Sequence, residues 1–337
     1  MLPRWTNEHG CEFRTFVIQT GGDGEDRDTM TEWPQGPTIL AEGWLRGTTL
    51  TLGALILAAL TAWMDRRTRA RMEGRRRPRH GLLGSVARIV ADLARAPVPR
   101  LWPTLIASLS LLPALMLVTI LLHAVVGSRF GGAIARSPEQ ILWWFGLLLA
   151  ATLAHQWSLP SMWAETPGTD PSARRHLMAS LTPWLGLWVA LLILLFGVGL
   201  APQGVHPVAA MGLLLSAGLC RRLDAVSRHR GSVATMGASA DLLARMASHL
   251  VVTALVLMAI IVSGILSQLP VRPIEVALFV LLLALLGGVF FCRWVCIVLF
   301  GDPTPRRLRH FAWGGLLPVA AFEMGMSVLQ MTGRWPG

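Results

Sequence analysis

Three stretches of this sequence, residues 101–128, 177–220 and 246–271, contain no Asp, Glu, Lys or Arg at all. A helix needs about 20 consecutive apolar residues to cross a bilayer. A soluble helix of that length would keep a polar outer face, and these runs have none. Inside hydrocarbon every backbone N–H and C=O must be satisfied within the protein, so runs of this length read as transmembrane helices.

Composition agrees with that reading and narrows it. Hydrophobic residues make up 53% of the 337 and charged residues only 15%, against about 25% in soluble domains. A single aqueous α/β enzyme is therefore excluded. The formal charge of +11 comes from arginine alone, since the chain has no lysine. Arginine grips carboxylates and phosphates with a bidentate fork that lysine lacks. The arginines lie in short segments between apolar runs, which points to partner subunits and anionic membrane lipids, and not to nucleic acid. Cys11, Cys220, Cys292 and Cys296 form neither a disulfide framework nor a metal motif, although Cys292 and Cys296 share a helix face.

Residues 1–46 are polar and read as a disordered tail, with Met30 as an alternative start. Residues 47–333 then form one transmembrane domain of about eight spans, at 47–64, 101–126, 141–159, 177–200, 205–220, 246–268, 273–300 and 311–332. Arginine placement orients them. Arg66, Arg67, Arg71, Arg75 and Arg88 follow the first span, Arg174 and Arg175 the third, Arg221 and Arg222 the fifth, and Arg306, Arg307 and Arg309 the seventh. The opposite loops carry only Arg129, Arg136 and Arg272, with Arg334 beyond the last span. The positive-inside rule then puts the arginine-rich segments in the cytoplasm and both termini outside.

Between the first two spans, Ser85, Arg88, Asp92 and Arg95 recur every three or four residues, with Leu82, Val86, Ile89, Val90 and Leu93 on the opposite face. This spacing predicts an amphipathic helix over 82–95 lying in the membrane surface. The fold class is thus all-α integral membrane, with about eight transmembrane helices and a surface helix after the first.

Ionisable side chains within the spans are few. Arg293 is expected about 10 Å deep in its span, and Glu323 roughly 8 Å deeper in the last one. They read either as a pair or as a snorkelling arginine and a neutral, hydrogen-bonded acid. His155 reads as a packed histidine or a proton relay. No P-loop, zinc motif, nucleophile elbow or haem-ligand pair is found.

Trp63-Met64-Asp65-Arg66-Arg67, then Ala70-Arg71-Met72-Glu73, Arg75, Pro78, Gly81 and Leu83, follow the pattern W-x-E-R-R, A-R-x-Q-x-R-x-G-P, G-x-L-Q. This resembles the signature around the first span and surface helix of the arm-anchoring, quinone-side membrane subunit of NADH:quinone oxidoreductase (respiratory complex I). The matching membrane subunit of formate hydrogenlyase and other energy-converting hydrogenases shares it. Pro97 with Leu111-Leu112-Pro113-Ala114-Leu115, Arg174-Arg175 with Thr182 to Trp188, and Arg306-Arg307-Leu308-Arg309 with Trp313 to Pro318 extend the likeness along the chain.

The resemblance implies a subunit of a bacterial or archaeal inner membrane that docks peripheral iron–sulfur or hydrogenase-like subunits beside antiporter-like membrane subunits. It implies a quinone at the interface, iron–sulfur clusters in the partners and no cofactor in this chain. The interface would be built from Asp65, Arg66, Arg67, Arg71, Arg75, Arg88, Arg174, Arg175, Arg222, Asp224, Arg306 and Arg309, and a polar path through the membrane would draw on His155, Arg293 and Glu323. The chain departs from the pattern at its acids. Asp65 stands for the leading glutamate and Arg88 for an aspartate, while the segment from Thr182 to Trp184 has no acid where the family has a glutamate. The loop after span five is reduced to Cys220-Arg221-Arg222-Leu223-Asp224. The alternatives are a structural anchor that has lost coupling, and an unrelated multi-span transporter.

Overall fold

The computed structural model describes residues 36–74, 101–127, 137–157, 171–201, 204–228, 238–265, 274–301 and 304–334. Over 36–44, 101–104, 106, 126–127, 157, 171–180, 224–228, 238–242 and 274–278 it describes the backbone alone. The expected surface helix at 82–95, with Arg75 and Arg88, lies outside these residues. Met1–Trp44 and Leu45–Gly337 form two compact units, and the second holds the helix bundle.

All regular elements among the described residues are helical: α1 Gly36–Met72, α2 Leu101–Gly127, α3 Pro138–Trp157, α4 Pro171–Leu200, α5 Pro207–Arg228, α6 Ala238–Val262, α7 Ile274–Phe300, α8 Pro305–Phe311, a π-helical turn Ala312–Leu316, and α9 Leu317–Met331. Among the described residues six segments are long and apolar enough to cross a membrane: Leu45–Met72, Ala107–Val125, Leu181–Leu200, Leu243–Val262, Phe279–Phe300 and Pro305–Met331. This is the architecture of a multi-pass membrane protein. The expected spans at 141–159 and 205–220 correspond to α3 and α5, which form as helices but are not among the six.

The core sits on α6. It packs against α2, α3, α5 and α7, and every side chain from Leu250 to Val262 is buried. A helix apolar all round must be buried in protein or lipid, and α6 takes the central place. By contrast α1 offers the bundle one narrow stripe, Ala54, Leu57, Ala58 and Thr61, at helical spacing. Its small residues let neighbours approach closely.

Helices α4 and α9 meet closely as well. A Cβ on Gly197 would lie 3.0 Å from the Met324 Cα, so only glycine fits there without moving backbone. Before α9 the helix widens into the π turn. Pro318 has no N–H to return to the Gly314 carbonyl, and its ring crowds that oxygen; a π turn relieves such crowding. Gly301, at φ 71°, ends α7 in the left-handed conformation. Thr304 caps α8 by accepting from the Arg307 N–H at 3.3 Å, and Pro305 opens the helix.

The basic segments at 65–71, 221–224 and 306–309, expected in loops after the spans, are instead all helical. The α1 helix continues to Met72, well past 64, because Arg and Met are good helix formers and no breaker intervenes before Gly74. The arginines therefore have fixed positions on helix faces.

Candidate functional site

Asp65 lies on the inward stripe of α1, one turn beyond Thr61. Thr61 Oγ1 and Thr253 Oγ1 of α6 are 3.0 Å apart, either one able to donate. Beside that contact, the Asp65 carboxylate is held by two guanidinium groups from other helices. Arg293 Nη1 of α7 donates to Oδ1 at 2.8 Å, and Arg221 Nη2 of α5 donates to Oδ2. Arg221 Nη1 also donates to Ser248 Oγ of α6 at 3.0 Å, and its Nη2 lies 3.3 Å from His249 Nε2. The three charged side chains are 8 to 14% exposed. Four helices, α1, α5, α6 and α7, thus meet at one carboxylate.

The physical reason is charge balance. An arginine taken out of water without a counter-charge is costly, whereas one paired and hydrogen-bonded is tolerated. Asp65 supplies one negative charge to two cations, each occupying its own oxygen. Around this cluster some of the other arginines lie along their own helix and some reach a neighbouring one. Arg66 Nε donates to the Ala62 carbonyl at 3.2 Å. Arg67 stacks over Trp63 at 4.9 Å. Arg69 and Arg293 lie 5.5 and 5.0 Å from the Trp294 ring. Arg222 is half-buried and reaches towards the Arg293 carbonyl at 3.5 Å. Arg71, Arg306 and Arg309 are exposed.

Of the residues expected at the interface, Asp65 is joined to Arg293, which was expected in the polar path instead, and Arg222 and the stacked Arg67 lie at the same helix ends. Arg174 and Arg175 fall in the first turn of α4 and Asp224 near the end of α5, where the backbone alone is described. His155 is buried at the end of α3, 2% exposed.

An Arg293–Glu323 pair, one of the two expected arrangements, does not occur, and Arg293 does not snorkel to water. Arg293 turns to Asp65, and Glu323 pairs elsewhere: its Oε1 meets Nδ1 of His206 just ahead of α5, both side chains 1 to 4% exposed. His206 Nε2 donates to the Ala201 carbonyl at 2.8 Å, and its backbone N–H donates to the Val262 carbonyl at 3.2 Å. Reading depth along single helices could not pair groups on different ones.

Two ionic layers result, at opposite ends of α5. His206 and Arg221 are separated along the chain by roughly 22 Å of helix. Between Thr253 and Val262, α6 offers only apolar side chains over roughly 14 Å.

Four participants, His206, Arg221, Ser248 and His249, are missing from the expected set. A lone His in the charge-free run at 177–220 and a lone Glu in the last span were the available signal for the His206–Glu323 pair. Nothing comparable marked Ser248 or His249.

Set against known protein families and curated protein sequences, the chain matches none. Among the described residues no three His, Cys, Asp or Glu side chains converge as a metal site. A cavity of about 150 Å³ between α3 and α4, lined by residues such as Ile141, Phe145, Leu195 and Phe196, has only apolar walls. It suits an acyl chain and lacks the convergent polar groups of a reaction centre.

Proposed function

We propose that this chain is the membrane-anchor and coupling subunit of a complex I-like NADH:quinone oxidoreductase or an energy-converting hydrogenase. In this reading it lies in a bacterial or archaeal inner membrane with eight spans, both termini outside and its arginine-rich helix ends in the cytoplasm. The observation that carries it is the Trp63-Met64-Asp65-Arg66-Arg67 motif, with Asp65 engaged by Arg221 and Arg293 of two later helices. That engagement fixes the register in which Arg66, Arg67, Arg69 and Arg71 leave the bundle as a rigid, cationic platform. Such a platform suits an acidic surface on a peripheral electron-transfer arm, and its attraction is steered by charge.

Cofactors would belong to the interface and the partners. Iron–sulfur clusters sit in the peripheral subunits, and the quinone contacts this chain at its arginine-rich end. A quinone carbonyl needs a hydrogen-bond donor, and Trp294 Nε1 is buried without a partner among the described residues. Antiporter-like subunits and lipids cover the apolar flanks.

A second reading is a scaffold without coupling. Its support is that both Asp65 oxygens are taken up by arginine, alongside the lack of an acid from Thr182 to Trp184. One experiment bears on both readings and on the transporter. Solubilised in mild detergent and purified by a tag, the full chain is expected to bring an iron–sulfur protein with it, in an amount that falls as salt is raised. Recovery of the chain alone at low salt defeats the docking role. Recovery of the complex with electron transfer but no proton translocation selects the scaffold.

A further inference from the structure

On α9, Glu323, Ser327 and Gln330 fall on one face at i, i+4 and i+7, and their exposure rises along the helix. Glu323 and Ser327 are buried, Gln330 is half-buried, and Thr332 to Arg334 beyond them are exposed. The Ser327 hydroxyl is fully buried and has no partner among the described residues. The Gln330 amide and the His206 ring both border Gly204: a Cβ there would meet His206 Nε2 at 2.9 Å and Gln330 Oε1 at 3.2 Å. In the other direction α9 is apolar back to Leu316. The stripe is therefore a polar blind alley, open at the C-terminal end of α9 and closed at Glu323.

The hydrogen bonds at its closed end fix the protonation chemistry. His206 Nε2 carries hydrogen, because it faces a carbonyl that can only accept. One further proton then lies on the line between Nδ1 and Oε1 of Glu323, as a carboxylic acid donating to neutral imidazole or as imidazolium donating to carboxylate. Both forms are neutral overall. Ionisable groups this deep in a membrane helix are costly unless they serve a function.

We propose that His206 and Glu323 form a proton-binding site served by a half-channel along Ser327 and Gln330 from the α9 C-terminal end. A second proton arriving by Ser327 adds to the free carboxylate oxygen and leaves an imidazolium paired with a carboxylic acid. Its departure along the same stripe restores the one-proton pair. No electrons move and no bond between heavy atoms breaks. The other titratable groups of the helices packed here are at their far ends: Arg174, Arg175 and His176 on α4, Arg221, Arg222, Asp224 and Arg228 on α5, Asp241, Arg245 and His249 on α6. Among the described residues the charges at the near end are Arg334 and Glu139, which opens α3 beside the C-terminal turn of α4. The site rests on the membrane reading and not on the redox partners, so a failed co-purification leaves it standing.

Infrared difference spectra of the full chain in lipid, taken as pH is stepped over the range in which the protein stays folded, test the proposal. Carboxyl and imidazole bands are expected to change together, as for a coupled pair. Glu323→Gln should remove the carboxyl change and alter the imidazole change coupled to it, and His206→Asn should keep a carboxyl band but move its midpoint. Ser327→Val should leave the end states alone while slowing deuterium exchange of the carboxyl band several-fold. Helix content by circular dichroism certifies each variant's fold, and His206→Asn serves if Glu323→Gln does not fold. A wild-type carboxyl that does not titrate, a midpoint unmoved by His206→Asn, or Ser327→Val exchange as fast as wild type each overturns it; in the first case the pair is a structural clasp only.

Discussion

At the residue scale, the arrangement of Asp65 makes a sharp prediction about conservative change. Replacing it by Asn keeps the shape and removes the charge, leaving Arg221 and Arg293 buried without their carboxylate. Breaking a buried pair in this way costs about 3–5 kcal/mol, so Asp65→Asn should unfold at markedly lower temperature or denaturant in detergent. Asp65→Glu keeps the charge and should recover most of the loss. Equal stability of Asn and wild type would show that the carboxylate does not balance the two arginines. Asp65 was visible in the sequence through its Trp63-to-Arg67 context. Its partners were not, because arginines 156 and 228 residues away look like any other basic flank until the helices are placed. The same holds for Glu323: its burial was legible from an apolar surround, but not the histidine it meets.

Helices α4 and α9 carry a prediction at the scale of elements. Gly197 lets the α9 backbone come within contact, and the next position back from Met324 is Glu323. A methyl at 197 forces the helices apart, because the obstructing atoms are backbone and cannot rotate away. Gly197→Ala should therefore destabilise the bundle by about 1–3 kcal/mol, and the His206–Glu323 contact should loosen with it. Stability matching wild type would show that the two backbones can separate freely. By comparison the nearest atoms a Gly186→Ala methyl would meet belong to the Trp313 side chain, which can move at the cost of its hydrogen bond to the Thr182 carbonyl, and the change should be milder. The helices themselves were largely legible from apolar run length. Their ends were not, because arginine continues a helix as readily as it sits in a loop, and α1 and α5 run on past the apolar stretch. Interhelical glycines leave no local trace either, since a glycine within a helix is distinguished only by what lies opposite.

For the molecule as a whole, the prediction concerns sidedness. With the arginine-rich ends of α1, α5 and α7 gathered at one carboxylate, all of them must lie on the same side of the membrane. The proposed orientation puts that side in the cytoplasm. A topology reporter fused after Gly337 should report the outside, and one inserted beside Gly74 the inside. Both on one side would break the arrangement of spans, and a reversal of both would invert the orientation. Arginine placement suggests an orientation in the sequence alone; the convergence of the basic ends on Asp65 has no such trace. The apolar length of α6 between Thr253 and Val262 also has an electrical side. Embedded in an energised membrane, a potential falls mostly across the least polarisable layer, and here that layer separates the Asp65 cluster from the His206–Glu323 pair. A charge carried across the full potential gains or loses about 2.3 kcal/mol per 100 mV, yet each cluster sits close to the potential of its own side. Voltage would thus act as a difference between the two sites and bear little on either alone.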